Sequence, residues 1–465
     1  MEDLKQQIQQ AWQNLKTQEL EGTKAQTLYN QTVWPLLLKL WRQEPQVYPS
    51  RETFEVSIHT LGTSPEATTL AALGLGADEI YVLHTPDSKR YLEQLQRDLG
   101  RSVYPLEIDK SDVTRLYQVV GQQVRKHPGK KIALDLTSGT KAMSAGMAAA
   151  GYFLQRVYPG LRVAYVDNDA FDAALRKPVA GTEKLILLPN PHEVLGDLDE
   201  HIAQELYEAR EFGKAAERFI SLRRKTGQGG FDLYAAACEM YKHWYALDFE
   251  SALSNARRLL DFMELDAYRS HFLVRHKGRL RVQKEGLEAI VALLKSQNLS
   301  DAVGALWLTA TLIQLGDERR ERQPVLAALY YYRSLELILQ YRLAQMARDA
   351  DNPNLCEEEQ QAMRVYLGRW LNEKPENIRL FGKLGLLEAV ALLRHLGDTS
   401  VDFPDSEMQG YQGVLKGRNK SLLIHGLQVS KKGELEKLRE FSRKLYQKAQ
   451  EETGLNPAVE PVSLA

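Results

Sequence analysis

The stretch Lys131-Ile-Ala-Leu-Asp-Leu-Thr-Ser-Gly-Thr-Lys141 decides the fold class of this 465-residue chain. It begins with a short apolar run, KIALDL (131–136), which is typical of a buried strand. Three hydroxyl residues, a glycine and a lysine follow, and then a helical pattern of small residues, AMSAGMAAAG (142–151). A strand that ends in a polar loop and leads into a helix is the building unit of a parallel α/β sheet.

The same alternation of strands and helices extends on both sides, over residues 51–193. It predicts an α/β domain with a mostly parallel sheet of about six strands, in which ligands bind at the carboxyl ends of the strands. The other predicted strands are FEVSIHTL (54–61), EIYVLHT (79–85), VYPLEI (103–108), RVAYVD (162–167) and EKLILL (183–188).

The rest of the chain has helical patterns. Residues 1–50 form a helical preface, and residues 194–300 an all-α connector with tetratricopeptide-like hairpins, because the segments from Ala209 and Ala246 place Phe and Ala identically, 37 residues apart. Residues 301–452 form an all-α bundle, and residues 453–465 a frayed tail.

Composition excludes several classes of protein. Lys plus Arg number 60 and Asp plus Glu 61, so the chain is not a globally basic nucleic-acid coat. Its two cysteines, Cys238 and Cys356, give neither a disulfide framework nor a cysteine zinc site, and they favour the reducing cytoplasm. The N-terminus is polar and no apolar run reaches membrane length, so we expect neither a signal peptide nor membrane association.

Two loops that follow predicted strands are candidate ligand sites. After the first strand, Gly62 permits a tight turn, Ser64 can cap a helix and Pro65 suits its first position, and free amides at a helix start favour an anion. A plain helix cap is the alternative. After the fourth strand, hydroxyls, amides and one ammonium suit phosphates and ribose hydroxyls. The residues of this second loop are Thr137, Ser138, Gly139, Thr140 and Lys141.

The ends of two further strands can line the same crevice, through Thr85 and through Asp167 and Asn168. No phosphate-binding loop, dinucleotide fingerprint, zinc-protease motif or carboxylate metal motif occurs. ATPase, dehydrogenase and metalloprotease activities are therefore disfavoured, and we expect no metal and no cofactor.

A third motif lies near the C-terminus. The motif is Arg418-Asn-Lys-Ser-Leu-Leu-Ile-His425; if this segment is helical, the seven-residue separation puts the arginine and the histidine on one face, about 10.5 Å apart along the axis. Histidine moves protons near neutral pH and arginine holds a phosphate, which suits cleavage of RNA by its own 2′-hydroxyl without a metal. Spacing alone is a weak signal, because Arg269 and His276 show the same gap; Asn419 beside the arginine and Gly426 after the histidine distinguish the C-terminal pair.

Together these motifs resemble a known architecture. The segment DLTSGTKAM resembles the CRISPR-associated Rossmann-fold sensor, called CARF, and RNKSLLIHG resembles the Arg-x4–6-His motif of HEPN ribonucleases. A sensor followed by a HEPN domain is the order in ancillary ribonucleases of type III CRISPR systems. The resemblance implies a homodimer that cuts single-stranded RNA when cyclic oligoadenylate, an allosteric activator, binds the sensor, with no stable association with the CRISPR effector.

The resemblance also assigns residues. It implies ligand contacts at Gly62, Thr63 and Ser64 and at residues 137–141, and catalytic roles for Arg418, Asn419 and His425. Three alternatives stay open: a ligand-gated transcription regulator, for which no basic recognition helix is visible; a scaffold with an inactive HEPN domain; and a sensor that also degrades its activator.

Overall fold

The computed structural model describes residues 2–18, 20, 22–380, 382–416 and 432–464. The chain divides into two compact units, Met1–Asp197 and Leu198–Ala465. The first unit contains a sheet flanked by helices, and the second consists of helices.

The first unit is built on a seven-stranded sheet with the order β1-β9-β6-β5-β2-β3-β4. All neighbouring strands are parallel except β6 and β9, so the predicted mostly parallel α/β fold is confirmed. The strands are β1 (Val47–Tyr48), β2 (Val56–Leu61), β3 (Glu79–His84), β4 (Tyr104–Glu107), β5 (Ile132–Asp135), β6 (Leu161–Asn168), and β9 (Glu183–Leu188), with β7 (Phe171–Asp172) and β8 (Lys177–Pro178) in a separate hairpin.

Helices cover both faces of this sheet, which explains why every residue of β2 is buried. The small residues of α7 seat it against its neighbours: a Cβ atom at Gly151 would lie 2.6 Å from Val163 Cγ2 of the sheet, and one at Gly146 3.0 Å from Val113 Cγ1 of α6. The helices of the first unit are α1 (Glu2–Thr17), α2 (Gly22–Thr32), α3 (Trp34–Gln43), α4 (Pro65–Leu75), α5 (Leu92–Leu99), α6 (Val113–Lys126), α7 (Lys141–Leu154) and α8 (Pro191–Leu195).

The N-terminal segment and the shortest strands differ from the sequence prediction. Residues 1–50 contain three helices where one or two were expected, and the edge strand β1 was missed. The β7–β8 hairpin was also missed. Each of these three strands has only two residues, too few for an alternating pattern to emerge.

The second unit begins with helical hairpins that repeat after 37 residues. Arg210 and Leu247 occupy equivalent positions with φ of 64° and 63°, and Phe212 and Phe249 begin the helices that follow. The helices of this region are α9 (Asp197–Glu208), α10 (Phe212–Thr226), α11 (Gly230–Tyr245), α12 (Phe249–Glu264) and α13 (Lys277–Ser296).

A bundle with its own apolar core follows these hairpins. Within it, the predicted long helix over residues 327–347 is present as α15. The bundle helices are α14 (Ala302–Arg319), α15 (Pro324–Gln345), α16 (Glu357–Leu371), α17 (Leu386–His395), α18 (Asp405–Lys416) and α19 (Lys432–Thr453). No helix among the described residues is long and apolar enough to cross a membrane.

The C-terminal residues are packed, and the expectation of a frayed tail was wrong. Val459 and Val462 are buried in the core of the helical hairpins. The Tyr207 hydroxyl donates to the Val462 carbonyl at 2.7 Å, and the Val462 amide donates to the Tyr241 hydroxyl at 3.0 Å. The valines of PAVEPVSLA supply the apolar contacts that make this segment ordered.

Candidate ligand site and nuclease segment

Both predicted ligand loops leave the sheet at the point where its strand order reverses. From β2 the chain proceeds outward through β3 and β4, whereas β5 and β6 extend in the opposite direction. β2 and β5 are parallel neighbours, so their carboxyl ends lie side by side. Such a reversal opens a crevice at the carboxyl edge of an α/β sheet, and this is where ligands bind.

The two loops are in direct contact. The Gly62 amide donates to Ser138 Oγ at 2.9 Å, and the Thr60 hydroxyl donates to the Ser138 carbonyl. A Cβ atom at Gly62 would lie 2.8 Å from the Gly139 nitrogen, so a side chain there would push the loops apart. Gly139 has φ of +92°, a backbone conformation that other residues rarely adopt. The two glycines therefore permit the close approach.

A buried hydrogen-bond chain supports the second loop from below. Ser57 Oγ lies 2.8 Å from His59 Nε2, and His59 Nδ1 lies 3.0 Å from Asp135 Oδ2; all three residues are fully buried. A carboxylate accepts from Nδ1–H, which leaves Nε2 to accept from the serine hydroxyl. The other Asp135 oxygen accepts from the Thr137 amide at 3.0 Å and from the Thr137 hydroxyl. This chain fixes the backbone at the start of the loop.

Besides Ser138, whose Oγ accepts from the Gly62 amide, three more of the predicted ligand hydroxyls already have partners within the protein. Thr137 Oγ1 also accepts from the Val166 amide at 2.8 Å. Thr140 Oγ1 caps α7 by accepting from the Met143 amide at 3.2 Å, and it donates to the Lys110 carbonyl at 2.9 Å. Thr85 is buried in a turn with Ser88: the Thr85 amide donates to Ser88 Oγ at 2.9 Å, and the two hydroxyl oxygens lie 3.2 Å apart. These side chains shape the crevice.

The groups that remain open to a ligand come from both loops. Thr63, Ser64, Gly139 and Lys141 are exposed. Ser64 occupies the residue before α4, but its side chain makes no capping hydrogen bond, so the expectation that it caps the helix was wrong. Pro65 at the start of α4 has no amide hydrogen and the Met143 amide of α7 is capped by Thr140, but the other amides in the first turns of these helices lack intrahelical partners, and helix starts attract anions. The crevice therefore combines backbone amides, hydroxyls and one ammonium, a set that suits a phosphate-containing ligand.

Asp167 and Asn168 lie at the carboxyl end of β6, next to β5, and both are half-buried. Across the antiparallel pair with β9 they face Lys184 and Glu183. Burial raises the pKa of Glu183 to about 7, although its own amide and those of Gly181 and Thr182 oppose the shift. The end of this strand thus places acceptor groups beside the phosphate-suited loop.

The predicted nuclease residues Arg418, Asn419 and His425 lie outside the described residues. The flanking helices α18 and α19 form an antiparallel pair: Lys444 Nζ lies 2.7 Å from Glu407 Oε1, and Lys437 Nζ donates to the Gly410 carbonyl at 3.0 Å. The end of α18 and the start of α19 are therefore at the same end of the bundle, and the chain between them carries the motif.

Charged residues of α14 and α19 join these helices near that end. Asp317 Oδ1 accepts from Arg439 Nε at 2.6 Å, and Arg320 Nη1 lies 3.2 Å from Glu436 Oε1. Burial opposes ionisation of Asp317, but hydrogen bonds from Arg439, Arg443 and a tyrosine hydroxyl outweigh it and lower its pKa. Among the residues described, no group of three or more His, Cys, Asp and Glu side chains is placed to hold a metal ion.

Sequence reasoning missed Ser57 and His59. Nothing in the sequence alone distinguishes His59 from an ordinary structural or surface histidine, because the sequence does not show that it lies opposite Asp135 in the neighbouring strand. The available signal was a histidine near the end of one predicted strand and an aspartate near the end of another. Using that signal requires the strand order and the register.

Comparison with known proteins defines the class. Residues 298–449 match the family described as the Csm6 HEPN domain, and residues 195–293 match the Csm6 6H domain. The CRISPR system endoribonuclease Csm6 of Thermus thermophilus is 47% identical over 455 residues, which cover 97% of this chain and 98% of that protein. The resemblance to CRISPR-associated HEPN ribonucleases is confirmed, and the chain is an endoribonuclease with a HEPN domain. It belongs to the Csm6 family.

Two solved structures show weaker similarity. Csm6 of Enterococcus italicus, bound to cyclic hexa-2′-fluoro-hexa-dAMP, has a TM-score of 0.43 and 13% identity, covering 86% of this chain and 95% of that one. Can2 of Sulfobacillus thermosulfidooxidans, in complex with cyclic tetra-adenylate, has a TM-score of 0.22 and 12% identity, covering 43% of this chain and 68% of the other.

Proposed function

We propose that this Csm6-family endoribonuclease cuts single-stranded RNA without a metal ion, and that bound cyclic oligoadenylate switches the cleavage on. The ligand binds at the carboxyl ends of β2 and β5, which we call the sheet edge. The observation that carries the proposal is the crevice at the reversal point, where two loops are in contact at the starts of α4 and α7 and Lys141 is exposed. An endoribonuclease with a phosphate-suited pocket in a separate unit has the parts that ligand control requires.

The chemistry of the crevice suits a cyclic oligoadenylate. Each phosphodiester of that ligand carries one negative charge, which helix-start amides and an ammonium stabilise. The exposed hydroxyls of Thr63 and Ser64 can donate to phosphate or ribose oxygens. Asp167 and Asn168 supply acceptors for ribose hydroxyls or adenine amino groups. We therefore assign ligand contacts to both loops and to the end of β6.

For cleavage we assign His425 as the proton-transfer group, Arg418 as the phosphate clamp and Asn419 as a residue that orients the phosphate. The 2′-oxygen of the RNA attacks the adjacent phosphorus and loses its proton, while the bond to the 5′-oxygen breaks and that oxygen gains a proton. The products are a 2′,3′-cyclic phosphate and a 5′-hydroxyl. The protein stabilises charge on the phosphate and transfers protons.

We further propose that the active species is a symmetric homodimer. One chain offers one Arg418–His425 pair, whereas the reaction uses a base, an acid and a charge clamp, so two motifs facing each other across a two-fold axis complete the site. In the first unit, an apolar stripe on α7 and just beyond it is open to a second copy: Phe153 is 53% exposed and Val157 65% exposed. A cyclic ligand of repeating adenylates matches such a two-fold axis.

The direct test is cleavage of a labelled single-stranded RNA by the purified protein with cyclic tri-, tetra- or hexa-adenylate, and with no ligand. We expect one ring size to raise the initial rate by at least tenfold, and EDTA to leave the rate unchanged. Cleavage that is equally fast with every ligand and without one would refute ligand control. Loss of activity in EDTA that Mg²⁺ restores would refute metal-independence.

A further inference from the structure

The loop between α14 and α15 lies at the end of the bundle where the nuclease segment begins and ends. α14 and α19 are antiparallel, because Asp317 pairs with Arg439 whereas Arg320, further along, pairs with Glu436. Glu436 is in the first turns of α19, which starts at Lys432. The loop that follows Arg320 is therefore at the amino end of α19, where α18 also ends.

This loop is rich in arginine. The segment Arg319-Arg-Glu-Arg-Gln323 contains three arginines and one glutamate, and we call it the arginine loop. The chain that joins α18 to α19 at the same end of the bundle is also basic in sequence: from Lys416 to Lys432 it contains five lysines and arginines and no acidic residue. Polyanions concentrate at such a surface.

Two of the three arginines are available to a ligand. Arg322 is exposed, and within the described part of the chain its guanidinium has no hydrogen-bond or ion-pair partner. Arg319 lies over the ring of Tyr330, with 5.4 Å between Cζ and the ring centroid, and no carboxylate among the described residues pairs with it. Arg320 is held by Glu436 and anchors the loop to α19.

The neighbouring carboxylates do not neutralise these arginines. Asp317 is bound by Arg439 and Arg443, and Glu318 accepts from Arg210 and from a tyrosine hydroxyl. Within the loop itself, Glu321 is the acidic residue. The loop therefore carries a formal charge of +2, and its two available guanidinium groups can each form bidentate contacts with phosphate oxygens.

We propose that the arginine loop binds the phosphate backbone of the single-stranded RNA substrate. Arg319 and Arg322 contact phosphates beside the cleaved bond, and Arg320 is a positioning residue that acts through Glu436. The proposal rests on the proposed function, because it takes Arg418 and His425 as the place of cleavage. A polymeric substrate extends past the cleaved bond on both sides, so its neighbouring phosphates are available to the loop. Contacts to these phosphates bind the RNA without reading its base sequence.

Binding of a 2′-O-methylated RNA tests the loop without any cleavage, because this RNA cannot supply the attacking hydroxyl. Its Kd is measured by fluorescence anisotropy over a series of salt concentrations, for the wild type and for Arg319→Ala/Arg322→Ala. Removing one cationic side chain from a phosphate lowers the slope of log K against log salt by about 0.7 for single strands, so we expect a decrease of about 1.4. That corresponds to a Kd roughly 25-fold higher at 0.1 M salt than for the wild type.

The connector provides a matched control in Arg224→Ala/Arg258→Ala. Arg224 is exposed like Arg322, and Arg258 lies over the ring of Phe262 at 5.2 Å, as Arg319 lies over a tyrosine. We expect this control to bind RNA with the wild-type slope. An unchanged slope in the loop variant, or an equal decrease in the control, would overturn the proposal.

Two further readouts separate the possible failures. If light scattering shows that only the loop variant loses a dimer that the wild type forms, the loop is a contact between subunits and the proposal is wrong. If His425→Ala cuts RNA like the wild type, the proposed catalytic motif is wrong, but the salt slope still reports whether the loop binds RNA.

Discussion

In the proposed function, two regions bind phosphates by different means: the sheet edge of the first unit, and the end of the helical bundle where α18 ends and α19 begins, which we call the motif end. At the sheet edge the groups for the anion are backbone amides and one lysine, held by buried hydrogen bonds between residues such as His59 and Asp135. At the motif end the described groups are the arginine side chains of the arginine loop, braced by ion pairs such as Arg320–Glu436.

This difference follows from what each region must recognise. Backbone amides have fixed directions, so a pocket built from them selects one ligand of defined shape. Long cationic side chains adapt to many positions of a flexible polymer and bind it by charge. The sheet edge is therefore suited to a small activator, and the motif end to RNA of varied sequence.

The largest expected effect is at the motif end. His425→Ala removes the proposed proton-transfer group and should lower the activated cleavage rate by roughly 10²–10⁴-fold. The matched control is His276→Ala, since Arg269 and His276 repeat the six-residue gap of the motif, and it should cut RNA like the wild type. Rates come from single-turnover cleavage of labelled RNA. Equal losses of rate in both variants would contradict the assignment of His425 as the proton-transfer group.

An intermediate effect is expected below the sheet edge. Asp135→Asn replaces a fully buried carboxylate that accepts from the Thr137 amide with a group that cannot accept at both oxygens. Losing one such buried hydrogen bond costs about 1–3 kcal/mol, so the Kd for the activator should rise by about tenfold, as measured by calorimetry. Asp98→Asn is the control, because Asp98 accepts from Trp34 elsewhere in the same unit.

The control should lower the melting temperature without changing the Kd. If the two substitutions changed the Kd equally, the hydrogen-bond chain would be a general stabilising feature. If Asp135→Asn left the Kd at the wild-type value, the chain would not position the ligand loop at all.

The smallest effect concerns Glu183, at the start of β9 and opposite the end of β6. Burial raises the pKa of Glu183 to about 7, above its value in the unfolded chain. The folded state therefore binds the proton more tightly, and its stability decreases as the pH rises from about 5 to 8. Glu183→Gln should weaken the dependence of the melting temperature on pH over this range. A wild type that is as stable at pH 8 as at pH 5 would contradict the prediction.

Much of the fold was accessible from the sequence because local patterns determine it. The six predicted strands are all present, and the loop at residues 137–141 lies where the strand–loop–helix pattern placed it. The buried chain through Ser57 and His59 was not accessible, since it depends on two strands 76 residues apart lying in register. Features of two residues, such as β1, and the packing of the C-terminal valines depend on contacts that no local pattern records.

Lys141→Ala shows whether a ligand at the sheet edge controls cleavage at the motif. Cleavage rate is measured against activator concentration, and the activator Kd is measured on the same preparations. The control is Lys126→Ala. Lys126 is exposed at the end of α6, which leads into the amino end of β5, away from the ligand loops.

Replacing a charge-assisted contact costs about 1.5–3 kcal/mol, so both the Kd and the midpoint of activation should rise by the same factor, roughly 10–150-fold. The maximal rate should equal that of the wild type, and the control should match the wild type in all three quantities. A Kd that rises while the midpoint of activation stays unchanged would contradict the account, because ligand binding at the sheet edge would then not govern the nuclease.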